Sequence, residues 1–154
     1  MERSVTKLLT RAEKMGGIPA AMREWQLRHD DTVQGIEDMD ARMREALAVM
    51  RDSAEKGLDP ALHSVSRLTG GSAAKLMEAA RSGRNAGGGL LGRICARALA
   101  VAECNAAMGR IVAAPTAGAC GILPAALITM QEEYGYAGFV KRVGKLGLRP
   151  VPLR

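Results

Sequence analysis

Residues 90–108 read LLGRICARALAVAECNAAM. The run is small, apolar and poor in charge, with glycine-rich SGRNAGGG before it and GRIVAAPTAGACGILP after it. Ala and Leu favour a helix, and a helix apolar around most of its circumference is buried on most sides. The segment therefore predicts a central helix with the rest of the chain arranged around it. The fold class that follows is all-α, a helical domain fragment with a central buried apolar helix.

Working outward, a second apolar helix is predicted over about 123–134, with Pro124 in its first turn. Ser72 to Arg81 reads as a short amphipathic helix, preceded by the Pro-, Ser- and Gly-bearing connector LDPALHSVSRLTGG (58–71). Further upstream, Ile36, Met39, Met43, Leu47, Met50 and Ala54 recur at three- and four-residue steps, with Gly57 as the stop. Asp31 and Gln34 have the spacing of a capping box ahead of that helix. The Met-rich stripe could form a partner groove, but Met on a helix seam reads first as core packing. Two short helices, 4–15 and 19–29, are separated by Gly16-Gly17. No segment alternates as a strand would, and no repeat is present. The organisation predicted is an N-terminal helical segment (1–57), a partial catalytic region (58–136) and a poorly ordered basic tail (137–154).

Composition agrees with this reading. Apolar residues make up 47% of the 154-residue chain, yet only four are aromatic, a mix suited to close-packed helices. No window holds about 18 uninterrupted apolar residues, so no membrane span is expected. The opening MERSVTKLLTRAEK is polar and amphipathic rather than a signal peptide, and three cysteines in such a chain read as thiols or metal ligands in a reducing, cytoplasmic setting. The net charge of +6 comes from the end of the chain. After Glu133 there are five basic residues and no acidic one, leaving 17 basic against 16 acidic before that point. The basicity thus belongs to a tail and does not mark nucleic acid as the main partner.

GGGLLG at 87–92 fits the dinucleotide-loop pattern, but no strand precedes it, so it reads as a helix start. Cys95 and Cys104 lie nine residues apart on one predicted helix, on opposite sides and roughly 13 Å apart along the axis, and cannot share one metal. Both read as core thiols. Cys120 sits between Gly118 and Gly121 just ahead of a helix, where free N–H groups would favour a thiolate. Spacing alone leaves open whether it is a ligand or an incidental cysteine in a helix-start turn. His63 is a base by residue type, but a loop histidine facing solvent is the plainer reading, and no catalytic base is assigned.

AVAECNAAMGRIVAAPTAGACGILPAAL closely resembles the α subunit, or α domain, of bacterial iron–sulfur L-serine dehydratases, and SVSRLTGGSAAKL resembles a Ser-x-Ser-Gly-Leu-Thr-Gly-Gly segment of the same family. MRDSAEKGL, at the end of the amphipathic N-terminal helix, also fits, and the likeness covers roughly residues 1–136. The resemblance implies deaminating dehydration of L-serine to pyruvate and ammonia. It further implies a 4Fe-4S cluster held by three cysteines, whose open iron acts as a Lewis acid, and a β subunit or domain as partner. Cys120 matches the first cluster cysteine. Ser64, Ser66, Thr69, Gly70, Gly71, Asn105, Thr116 and Gly118 fall in segments that the resemblance places on the substrate side.

Three departures accompany the resemblance. Arg67 stands where relatives have glycine, and Ser72 where an acidic residue is common. The text from residue 136 onward, YAGFVKRVGKLGLRPVPLR, has no recognised counterpart in the family and reads as a truncated or frame-shifted end, so two of the three cluster cysteines are missing from the chain. The leading expectation is therefore an L-serine dehydratase α subunit, incomplete and inactive alone. The alternatives are a non-catalytic helical remnant or protein-interaction fragment, and a nucleic-acid binder resting on residues 138–154 only.

Overall fold

A computed structural model describes residues 5–113 and 116–145. Its helices are α1 (Val5–Met15), α2 (Ile18–His29), α3 (Ile36–Lys56), α4 (Ser72–Arg81), α5 (Gly88–Ala106) and α6 (Ile122–Lys145), with a 3₁₀ turn at Ala117–Ala119. Among the described residues there is no strand, only an isolated antiparallel bridge between His63 and Gly70. The all-α expectation holds. None of the described helices is long and apolar enough to cross a membrane.

The chain divides into two compact units, residues 1–43 with 134–154, and residues 44–133. In the first, Pro19 opens α2 as expected of a residue with no N–H to satisfy. Arg11 of α1 donates to Glu24 of α2 at 3.1 Å, Arg23 donates to Asp40 at 2.7 Å, and Trp25 stacks on His29 with ring centres 4.6 Å apart. The capping box expected of Asp31 and Gln34 does not form. Asp30 instead accepts from the Thr32 N–H and hydroxyl, and Asp38, in the first turn of α3, reaches back to the Gln34 N–H at 2.9 Å.

The second unit is organised around α5. Helices α4 and α5 run antiparallel: Gly92, early in α5, lies against Ala80 at the end of α4, and Glu103, late in α5, meets Ser72 and Ala73 at the start of α4. Small residues set the spacing. A Cβ on Gly57 would fall 1.8 Å from the Ala100 carbonyl oxygen and one on Gly121 2.4 Å from that of Ala98, so the end of α3 and the start of α6 both touch the α5 backbone. Arg97 ties α5 to α6, donating to Thr129 Oγ1 at 2.7 Å and to both oxygens of Glu132 at 2.7 and 2.6 Å. Arg93 pairs with Glu133, and Arg51 of α3 donates to Gln131 at 2.9 Å.

Two expectations change in detail. Helix α5 is buried along Gly92, Ala96, Arg97, Ala100, Val101, Glu103 and Cys104, but Leu91, Cys95, Ala102 and Ala106 form an exposed stripe. The apolar composition concealed this because alanine is neutral enough to occupy either side. The stripe of α3 is core only at its C-terminal end: Met50 and Ala54 are buried, whereas Ile36 and Met43 are 54% and 59% exposed. The glycine run 87–92 is a helix start, with Gly87 as the N-cap of α5. Gly135 (φ 63°, ψ 170°) interrupts α6 one residue beyond the predicted end at 134. Of the predicted tail, residues 137–145 belong to α6, unlike the poorly ordered segment expected, and residues 146–154 lie outside the described residues.

Candidate functional site

The connector between α3 and α4 is a closed loop. The Ser64 N–H donates to the Thr69 carbonyl at 2.8 Å, the Arg67 N–H to the Ser64 carbonyl at 2.8 Å, and the Thr69 N–H to Ser64 Oγ at 3.2 Å. Ser64 and Ser66 share a hydroxyl hydrogen bond of 3.2 Å. Ser64 is therefore the buried hub, 8% exposed, while Ser66 and Thr69 stand on the exposed rim. Gly70 closes the loop at φ 148°, where a Cβ would fall 2.2 Å from the Leu62 carbonyl oxygen, so only glycine fits. Gly71 follows at φ 73° as the N-cap of α4.

Helix α5 supplies the floor on which this loop rests. The Val65 N–H donates to the Ala106 carbonyl at 3.2 Å. Glu103 Oε1 accepts from Ser72 N at 3.0 Å and Ala73 N at 3.3 Å, capping a helix whose own N-cap residue has no side chain to do so. Ser64, Ser66, Thr69, Gly70, Gly71 and the last turn of α5, which carries the exposed Asn105, are thereby brought together. Glu103 escaped the sequence reading. Its signal was a single acidic residue inside a long small-residue helix, which needs a buried partner to be tolerated there.

Two of the three departures, Arg67 and Ser72, can be located in this loop. Arg67 adopts φ 58°, a left-handed conformation that glycine takes freely and arginine only at a cost. Ser72, in place of the acidic residue, donates its N–H to Glu103 Oε1 at 3.0 Å.

Thr116, Gly118 and Cys120 belong to a separate turn. Thr116 Oγ1 accepts from Ala119 N at 3.2 Å and so caps the 3₁₀ turn, and Gly118 is exposed. The turn packs on α5 at Ala98, about two helical turns before Asn105. Cys120 is 2% exposed and clusters with Ala54 and Val101, backed by Ile111 and Ile128. It is not an open, accessible thiol. Cys104 is buried as expected, and burial raises its pKa, opposed in part by Lys56. Cys95, expected in the core, is exposed because it falls on the outward stripe of α5. His63 is exposed. Among the described residues no group of three His, Cys, Asp or Glu side chains is placed to hold a metal ion.

A cavity of about 390 Å³ lies between α3, α5 and α6, bordered by Arg51, Ala54, Leu58, Arg97, Ile128 and Gln131 among others. None of the sequence-predicted site residues lines it, and its buried cation, Arg97, is already bonded to Thr129 and Glu132.

The chain matches the family model described as serine dehydratase alpha chain over residues 2–146, ten residues beyond the limit of 136 expected from the sequence. It is 41% identical over 97 residues to a probable L-serine dehydratase, alpha chain, of Bacillus subtilis (strain 168), covering 63% of this chain and 32% of that protein. It is 33% identical over 127 residues to the L-serine dehydratase, alpha chain, of Peptoniphilus asaccharolyticus, covering 79% of this chain and 43% of that protein. A stretch of 30 residues is 73% identical to L-serine dehydratase TdcG of Escherichia coli (strain K12). The chain thus spans from about a third to under half of the length of the two alpha chains. No solved structure matches it.

Proposed function

The chain belongs to the serine dehydratase alpha chain family, and from that membership we propose that the 62–72 loop, with the last turn of α5, forms the substrate-facing part of an L-serine dehydratase centre. The observation that carries this reading is the loop itself. A buried Ser64 holds the exposed residues Ser66 and Thr69 beside Gly70 and Gly71, in a loop tied through Val65 to the last turn of α5. Hydroxyl and N–H donors of this kind suit the carboxylate and hydroxyl of a small hydroxy-amino acid. Thr116 and Gly118 are assigned to the same side. The reaction is elimination of water from L-serine, ending in pyruvate and ammonia, in the cytoplasm. The region 58–136 is its partial catalytic part and 1–57 a helical support.

The cofactor of this reading is a 4Fe-4S cluster, to which Cys120 would contribute one thiolate. The described residues do not fit a whole cluster. Cys120 is packed among Ala54 and Val101, and no three ligating side chains converge. Further cysteines, and a β subunit or domain as partner, must come from outside these residues, and no catalytic base is assigned. The incomplete ligand set favours a second reading for the chain by itself, a non-catalytic helical fragment acting through association. The exposure of Val65 (74%), Leu68 (86%) and Met108 (82%) accords with it.

The test is a chimera in which residues 1–128 replace the matching part of the Peptoniphilus alpha chain. It is assembled with that enzyme's own remaining components and assayed anaerobically for pyruvate from L-serine. Pyruvate formation is expected, and its loss on replacing Ser64 and Ser66 by alanine. A folded, cluster-loaded chimera without turnover would refute the substrate-loop reading. The chain alone, supplied with iron and sulfide, is expected to form no pyruvate.

A further inference from the structure

Glu103 has two carboxylate oxygens with different fates. Oε1 holds the N–H groups of Ser72 and Ala73. Oε2 is shut away from solvent and accepts no hydrogen bond from any described residue. The residue is 6% exposed, so both oxygens lie inside the fold. A buried carboxylate oxygen is among the most costly polar groups to leave bare, and native structures rarely do so without a partner such as an ordered water, an ion or a ligand.

The surroundings narrow what could satisfy it. The loop that ends at Glu103 offers hydroxyls and backbone groups, and none of its described contacts brings a lysine or arginine to this carboxylate. The N-terminus of α4 would attract an anion, but Glu103 already occupies it with its own carboxylate. What the position still accepts is a donor of positive charge. Ser72, which donates to Glu103, and Ala106, one turn further along α5, are both exposed.

We propose that Glu103 binds the ammonium group of the amino-acid substrate through Oε2, while the loop takes the carboxylate and hydroxyl. The assignment rests on the reading of that loop as the substrate side. It gives the site its one anionic group, since Ser64, Ser66, Thr69, Asn105 and Thr116 are all neutral. Selection for an amine follows from charge, because a ligand without an ammonium leaves a buried carboxylate oxygen unpaired.

The experiment titrates the ¹⁵N-labelled chain with L-serine, 2-aminoethanol (no carboxylate) and 3-hydroxypropanoate (no ammonium), following the amides of residues 70–73. Both amines are expected to move these amides saturably, with 3-hydroxypropanoate at least about tenfold weaker than L-serine, a step matching roughly 1.4 kcal/mol. In Glu103→Gln a carbonyl oxygen remains to accept from Ser72 and Ala73, but no anionic oxygen does. L-serine should fall to the level of 3-hydroxypropanoate while the unliganded α5 and α6 resonances stay in place. Equal L-serine binding by the chain and Glu103→Gln overturns the ammonium assignment and leaves the loop reading standing. Binding of 2-aminoethanol as tight as that of L-serine supports the ammonium site and counts against the loop as a carboxylate receptor. If neither amine moves residues 70–73, the inference fails. The comparison of three ligands needs no variant, so it decides the matter even if Glu103→Gln does not fold.

Discussion

Removing either half of the Arg97–Glu132 ion pair deletes the same salt bridge, yet the two deletions should differ in cost. The Arg97 side chain is 10% exposed and that of Glu132 is 55% exposed. Glu132→Ala leaves a guanidinium inside the protein with Thr129 as its remaining partner among the described residues. Breaking a buried pair from one side costs about 3–5 kcal/mol, and the open side of this one brings the expectation down to about 2–3 kcal/mol. Arg97→Met leaves Glu132 in water, where a lone carboxylate costs little. Its penalty is the Thr129 hydroxyl, which is 0% exposed and loses its 2.7 Å donor. An orphaned buried hydroxyl costs about 1–3 kcal/mol, reduced where threonine turns to its own helix carbonyl, so about 1–1.5 kcal/mol is expected. The order is therefore Glu132→Ala worse than Arg97→Met, and the double variant no worse than Arg97→Met alone. Urea denaturation followed by far-ultraviolet circular dichroism, with ΔΔG taken from midpoint shifts at constant slope, measures all three. If Arg97→Met costs more than Glu132→Ala, or the two costs simply add, the guanidinium is not behaving as a buried charge and the argument is wrong.

Other consequences are checked more briefly. Timed alkylation of the folded chain with peptide mass spectrometry should label Cys95 first, with Cys104 and Cys120 much slower, because only Cys95 is exposed and burial raises the Cys104 pKa; faster labelling of Cys120 would mean that its packing against Val101 is not kept in solution. Arg67→Gly should raise stability by up to about 1 kcal/mol, since it relieves a left-handed arginine, and a lower urea midpoint would refute the strain. Three carboxyls of the first unit are held below their ordinary pKa: Glu24 chiefly by the hydrogen bond from Arg11, Asp30 by the Thr32 hydroxyl, and Asp38 by the Gln34 N–H. Depressed carboxyls stabilise the fold above the unfolded pKa of about 4 and lose that contribution as pH falls through the folded value. Fluorescence of the single Trp25 under urea should therefore show an earlier transition at about pH 3 than at about pH 6, with Asp38→Asn narrowing the gap; an unchanged or later transition in acid would contradict the linkage.

The helices were legible because their signals are local. Pro19, the run from Ser72 to Arg81 and the glycines before α5 each mark a boundary by backbone chemistry alone. The loop residues Ser64 to Gly71 and the turn around Cys120 stood out through resemblance. What sequence did not reveal depends on partners far along the chain. Glu103 acquires its role only when α4 folds back beside it, and Arg97 only when Thr129 and Glu132 arrive. Cys95 was misplaced for a related reason. In a helix built of alanine, periodicity is too faint to say which side faces water, and that side is set by which neighbours pack there.

The antiparallel α4–α5 pair also bears on how the chain reaches its native state. A loop of only six residues, 82–87, joins the two helices, so closing it costs little chain entropy and the contact between Ala80 and Gly92 forms between near neighbours. Pairs with such short separations assemble early and quickly. The bonds from Ser72 and Ala73 to Glu103 span 31 and 30 positions and sit at the open end of the same hairpin. Zipping from the loop outward brings them together last, and the order reverses when the hairpin frays. Native-state hydrogen exchange should then show the Ser72 and Ala73 amides opening at a lower free energy than mid-helix amides of α5. The groups that shape the loop would be renewed many times within the lifetime of one folded molecule, with the close contact at Gly92 as the hinge from which each re-formation starts.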